Sequence, residues 1–188
     1  DGDGIFISEG GAAPTVLPDP LGFGTVEGPT LGDDGTVAFD VLFSNAEGDL
    51  VQGIFTQNGE TLELIVDDTG ELIGLSRPAV NNKGTVAFTA GFDVGGGALF
   101  SGTAASTTRV IGTGDMLFGQ LVTSAGLTQQ TALNNEGQIV FTASFADGSQ
   151  GIFRADPEET PVQAVPEPTS LLGVLVVSLT MFLRLKRS

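Results

Sequence analysis

Side chains able to do chemistry are few in this sequence and almost all acidic: 23 Asp and Glu stand against 7 Lys and Arg, with no His and no Cys. Nucleophilic catalysis needs a base beside a Ser, Thr or Cys, and a Ser-Lys pair would have to use Lys83. That residue occupies a turn position held by Asp34 and Glu136 elsewhere in the chain, so it reads as a solvated turn residue, and no catalytic residue is assigned. Two carboxylates facing each other across a cleft can cleave a glycosidic bond, but the acids here sit mostly beside Gly in turns, where Asp is favoured for backbone reasons. Calcium suits them better, because tight turns present hard oxygen ligands. The candidate ligands are Asp1 and Asp3 in Asp1-Gly2-Asp3-Gly4, and Asp33 and Asp34 before Gly35. The EF-hand loop with its terminal Glu is absent, turn chemistry accounts for the same residues, and no other metal or cofactor is assigned. A formal net charge of −16, with Arg184, Lys186 and Arg187 among the few cations, disfavours binding to nucleic acid.

Those acids lie on a pattern written three times. Leu31-Gly32-Asp33-Asp34-Gly35-Thr36-Val37-Ala38-Phe39 returns as Val80-Asn81-Asn82-Lys83-Gly84-Thr85-Val86-Ala87-Phe88 and as Leu133-Asn134-Asn135-Glu136-Gly137-Gln138-Ile139-Val140-Phe141. The repeat-turn residues Asp34, Gly35, Asn81, Gly84, Asn134 and Gly137 predict tight turns, because Asn and Asp tolerate left-handed backbone and Gly supplies positive φ without steric cost. After each Gly the residues alternate, with Val86, Phe88, Ala90 and Phe92 on one side, as expected of a strand with one buried face. The sets Val37, Phe39, Val41, Phe43 and Ile139, Phe141, Ala143, Phe145 take the same side, and core packing explains them better than a ligand-stacking surface.

A second marker follows each unit, as Gly53-Ile54-Phe55, Gly97-Ala98-Leu99-Phe100 and Gly151-Ile152-Phe153, and once precedes them as Gly4-Ile5-Phe6. Gly35 and Gly84 lie 49 positions apart, Gly84 and Gly137 lie 53 apart. An apolar run and a Gly-bounded stretch complete each period, seen as Leu62–Val66, Arg109–Ile111 and Thr15–Leu17 for the first. The fold class is therefore all-β: tandem repeats of about fifty residues, each a four-stranded antiparallel unit like a β-propeller blade. Residues 1–156 form this region, divided as a partial repeat 1–30, repeats 31–79 and 80–132, and a partial repeat 133–156. A closed propeller takes more blades than these, so either the chain is a fragment of a longer array, which the half repeats and the start at Asp1 favour, or the repeats stack as an open solenoid or sandwich.

Residues 157–164 read as a Pro/Glu-rich linker. Beyond it stand Pro166-Glu167-Pro168, an apolar run from Leu171 to Leu183, and the basic end Arg184-Leu185-Lys186-Arg187. Pro168 suits the first turn of a helix. A single C-terminal hydrophobic helix from Thr169 to Leu183 would be about 22 Å long, short of the ~30 Å hydrocarbon core. Arg184, Lys186 and Arg187 can snorkel at its end.

Residues 165–188 resemble the PEP-CTERM sorting signal of Gram-negative bacteria, which has this motif, this apolar segment and this basic cluster in this order. The resemblance implies export, an intermediate anchored in the inner membrane, and processing by an exosortase. It also implies a final place at the cell surface or outside the cell, often with exopolysaccharide as a partner. The body is similar to tandem-repeat proteins with the pattern Asn-x-x-Gly-x-x-Ala-Phe, whose members carry varied C-terminal anchors. Asn81, Gly84, Ala87 and Phe88 match it in full; Val140 replaces the Ala in the third copy and Gly32 the Asn in the first. Neither resemblance carries an enzymatic activity. The expected function is a non-enzymatic structural or surface protein of the envelope or extracellular matrix, with a propeller-like carbohydrate- or calcium-dependent adhesion module as the alternative.

Overall fold

The computed structural model describes residues 6–7, 15–16, 19 and 21–157, and the expected C-terminal helix lies outside them. Everything regular among the described residues is antiparallel β. A short pair, β1 (Phe6–Ile7) and β2 (Thr15–Val16), precedes three four-stranded sheets. Sheet I holds β3 (Val26–Leu31), β4 (Val37–Ser44), β5 (Leu50–Asn58) and β6 (Thr61–Asp67). Sheet II holds β7 (Leu72–Val80), β8 (Val86–Phe92), β9 (Gly97–Thr103) and β10 (Ser106–Gly112). Sheet III holds β11 (Met116–Leu117), β12 (Gln120–Leu127), β13 (Ile139–Phe145) and β14 (Gln150–Ala155). Strands adjacent in sequence are adjacent in each sheet. Sheets I and II start one strand before their Asn/Asp-Gly turns and sheet III two, with the short β11 ahead of β12; in each, the strand leading into the turn pairs across it with the Phe-bearing strand that follows.

The two sequence markers face each other on paired strands in each of the three sheets. Phe39 stands opposite Phe55, Phe88 opposite Phe100 and Phe141 opposite Phe153. Their rings lie 6.1, 5.4 and 5.6 Å apart and close to parallel. A third ring from four residues further on, Phe43, Phe92 or Phe145, meets the second edge-on. Such cross-strand aromatic contacts contribute about 0.5–1.5 kcal/mol each beyond burial alone. The Gly of the marker has a physical reason here: a Cβ on Gly53 or Gly151 would lie 2.8 Å from a ring carbon of Phe43 or Phe153. In sheet II it is Ala98, rather than the Gly97 of the marker, that stands opposite Ala90.

The sheets stack face to face. Ala38, Ile54 and Ile65 on one face of sheet I pack against Leu75, Val86, Phe88, Ala90 and Phe100 of sheet II. Ala87, Leu99 and Ile111 on the other face of sheet II pack against Phe141, Ala143, Phe145 and Phe153 of sheet III. The aromatic face of each sheet thus lies on the aliphatic face of the one before it. The alternation predicts one buried face per strand; in sheets I and II both faces are buried, because Ala38, Ile54, Ala87 and Leu99 are as inaccessible as the Phe residues they alternate with. The aromatic face of sheet I is covered by Phe23, whose ring lies 5.6 Å from Phe39 and 5.3 Å from Phe55.

The leading strands β3 and β7 carry bulges, and Gly28 and Gly74 sit in them at φ of 55° and 57°. Gly is needed at 28 on space as well as conformation, since a Cβ there would lie 2.7 Å from Asp40 Oδ1. On the same side of the stack Gln130 Nε2 donates to Gly28 O at 2.8 Å, joining the loop after β12 to β3 across the leading edge of sheet II.

Phe88 is fully buried at the I–II interface while Phe92 is half-buried at its rim. Phe88→Ala should cost about 3–5 kcal/mol and Phe92→Ala clearly less in equilibrium denaturation. Equal costs would contradict the stacking.

Candidate functional site

The residues singled out by the repeat converge on one side of the stack, as a column of three turns. Each is closed by the same pair of backbone hydrogen bonds: the N–H of Gly35, Gly84 or Gly137 donates to the carbonyl of residue 32, 81 or 134, and that residue's N–H donates to the carbonyl of residue 36, 85 or 138. The three Gly sit at φ of 88°, 71° and 82°, which Gly adopts without the Cβ penalty.

The Asn side chains hold the loops. Asn81 Oδ1 accepts from the N–H of Lys83 and Thr85, and Asn134 Oδ1 from those of Glu136 and Gln138. They also link one turn to the next. Asn81 Nδ2 donates to Asn134 O at 3.0 Å, Asn82 N to Asn135 Oδ1 at 3.0 Å, and Asp33 N to Asn82 Oδ1 at 2.7 Å. Residues 33, 82 and 135 therefore form an amide ladder running across the sheets, while Asn81, with 2% exposure, is buried between neighbouring turns.

Gly32, which stands where the other copies have Asn, is explained by its neighbour. Asp34 Oδ1 accepts from Thr36 N at 3.1 Å and Asp34 Oδ2 from Thr36 Oγ1 at 2.9 Å, so Asp34 supplies the cap that Asn81 and Asn134 supply elsewhere. A Cβ on residue 32 would lie 2.8 Å from that carboxylate. The two departures from the repeat compensate each other.

Of the calcium candidates, Asp34 is thus occupied by its own turn, and Asp33 Oδ2 accepts from Asn82 Nδ2 at 3.4 Å. Asp1 and Asp3 lie outside the described residues. Among the described residues no group of three or more acids, His or Cys is placed to hold a metal ion. Lys83 is exposed on its turn. The sorting-motif residues Pro166, Glu167 and Pro168 and the basic residues Arg184, Lys186 and Arg187 are also outside the described residues.

Sequence reasoning missed a second set of turns, those joining the two Phe-bearing strands. Asn45 Oδ1 accepts from Glu47 N and Asp49 N, and Asp147 Oδ1 from Ser149 N and Oγ. These Ser149 hydrogen bonds hold the Asp147 carboxyl below its ordinary pKa. The signal was present as Asn or Asp followed within three residues by Gly48 or Gly148, both at positive φ. Among the described residues the ion pairs of Arg109 with Asp115 at 2.8 Å and Arg154 with Asp156 at 3.1 Å are part-exposed and local. Capping and ladder bonds thus give Asp33, Asp34 and Asp147 structural tasks.

A model for a family of unknown function, DUF7453, matches residues 70–172, from the start of sheet II through the linker and Pro166-Glu167-Pro168. Neither the curated proteins nor the solved structures give a match.

The compensation at the first turn has a measurable form. Gly32→Asn should destabilise the chain by about 1–3 kcal/mol through crowding against Asp34, and Asp34→Lys by about 1 kcal/mol through loss of the cap. The double variant, which restores the Asn-x-Lys-Gly text of the second copy, should be more stable than the sum of the two predicts. Additive losses in urea denaturation would show that the positions do not compensate.

Proposed function

We propose that this chain, which belongs to that family of unknown function (DUF7453), is a non-enzymatic protein exported to the cell envelope or extracellular matrix and delivered there by its C-terminal sorting signal. The carrying observation is the order of Pro166-Glu167-Pro168, the apolar run Leu171–Leu183 and the cluster Arg184, Lys186, Arg187. Each part has a physical task. The apolar run engages the bilayer, the cations hold their end on the cytoplasmic side, and the Pro/Glu-rich linker keeps the motif accessible to a processing enzyme outside. An apolar helix of about 22 Å in a core of ~30 Å inserts with its flanking cations snorkelling, which suits a transient anchor.

The body supports a structural role. Its repeated polar residues cap turns and link sheets, and its repeated aromatic residues fill interfaces. Stacked four-stranded meanders whose leading strands gather on one side also support a propeller-like arrangement. The alternative, calcium-dependent adhesion, is the weaker reading because Asp34 already serves Thr36.

Mass spectrometry of the mature protein from its native host tests the proposal. A C-terminus ending near Pro166-Glu167-Pro168 is expected. A chain ending in Arg187-Ser188 would overturn the processing claim.

A further inference from the structure

Sheet III is built differently from the other two at one edge. In sheets I and II the Gly-Ile-Phe strand is an inner strand: β5 lies between β4 and β6, and β9 between β8 and β10. Among the described residues its counterpart β14 pairs with β13 alone and forms the edge of its sheet. The following residues bring Pro157 and Pro161, which have no N–H to donate to a ladder. Ile152, at 60% exposure, stands where Ile54 and Leu99 are fully buried, and Val140 beside it is 38% exposed where Ala38 and Ala87 are fully buried.

A strand of the type that β6 and β10 supply in sheets I and II stands before sheet I. β2 follows Gly4-Ile5-Phe6 as β6 follows Gly53-Ile54-Phe55, and among the described residues it pairs only with β1, of which two residues are described. Phe6 and Val16 of this small pair are both more than half exposed. β1 begins at the Phe of Gly4-Ile5-Phe6, and β14 holds the same text as Gly151-Ile152-Phe153, so β14 can replace β1 as the partner of β2.

We propose that β14 is a strand-docking site and that its occupant is β2 of a second copy of this chain, which completes sheet III in the place that β6 and β10 hold in sheets I and II. The move gives up the two-residue β1–β2 pairing, and backbone pairing along the longer edge of β14 supplies the attraction. The register follows from the shared text. Ile7 stands opposite Thr15 in the β1–β2 pair; Arg154 holds the position of Ile7 after Gly-Ile-Phe, so Arg154 of one copy faces Thr15 of the next. The contact joins two different surfaces, β2 of one copy and β14 of another, and therefore propagates into chains or closes into a ring. It does not depend on the sorting signal.

The absence of Cys from the sequence makes a direct test possible. Full-length chains carrying Thr15→Cys and Arg154→Cys are mixed in detergent and exposed to a mild oxidant. A disulfide-linked pair of twice the chain mass is expected from this mixture. Thr15→Cys mixed with Val94→Cys, at a site 96% exposed on the β8–β9 turn, should give background only. That control also measures coupling through shared micelles. Adding Ile152→Lys to the Arg154→Cys chain should abolish the linked pair while its melting curve stays that of the parent. A Thr15/Arg154 band no stronger than the Val94 control overturns the proposal. So does a double Thr15→Cys/Arg154→Cys chain that closes on itself at monomer mass, which would assign β14 to the chain's own β2.

Discussion

The structure depends on a requirement met in sheets I and II: both faces have to be dry, and they have to differ. One face offers a cluster of three rings, the other a low relief of Ala and branched aliphatic side chains on which the next cluster sits. Flat rings stacked across neighbouring strands fill space densely only if nothing projects between them, which is why Gly53, Ala98 and Gly151 stand where they do. Conversely, Ala38 and Ala87 are small because an aromatic face lies over them. The two strand parities thus serve two different interfaces, and the repeat transmits the same fit from one sheet to the next.

Polar residues fix the register of that fit. Apolar faces attract without direction, and sliding one sheet over another would cost little without further ties. The column of turns supplies them, with Asn82 between Asp33 and Asn135 and Asn81 joined to Asn134. Gln52 adds a tie inside the first interface by donating to Leu75 O at 2.7 Å. The acidic surplus is distributed over turns, where carboxylates accept from nearby N–H and O–H groups. A net charge of −16 on a body with open strand edges also opposes unspecific edge-to-edge pairing through like-charge repulsion.

Much of this could be read in the sequence, for identifiable reasons. The all-β class, the turns at Gly35, Gly84 and Gly137, and the burial of Phe39, Phe88 and Phe141 follow from local chemistry and a period of two. The burial of Ala87 and Leu99 could not be read that way, because a small residue alternating with Phe is equally compatible with solvent and with a second sheet. Gly32 looked like a lapse from the pattern until the position of Asp34 became visible. The division into sheets was hidden because a period has no natural starting point; only pairing shows that the strand before the turn belongs with the strand after it. The tail, legible as a sequence of three parts, lies outside the described residues, so its role rests on that order alone.

Amide hydrogen exchange on the full chain, at concentrations where it is monomeric, tests the stacking account most directly. Sheet II has both faces covered and every inner strand paired, so the amides of β8 and β9 should be the slowest to exchange, while those of β14, at an open edge beside an exposed face, should be the fastest of the long strands. Protection of β14 equal to that of β8 and β9 would contradict the account.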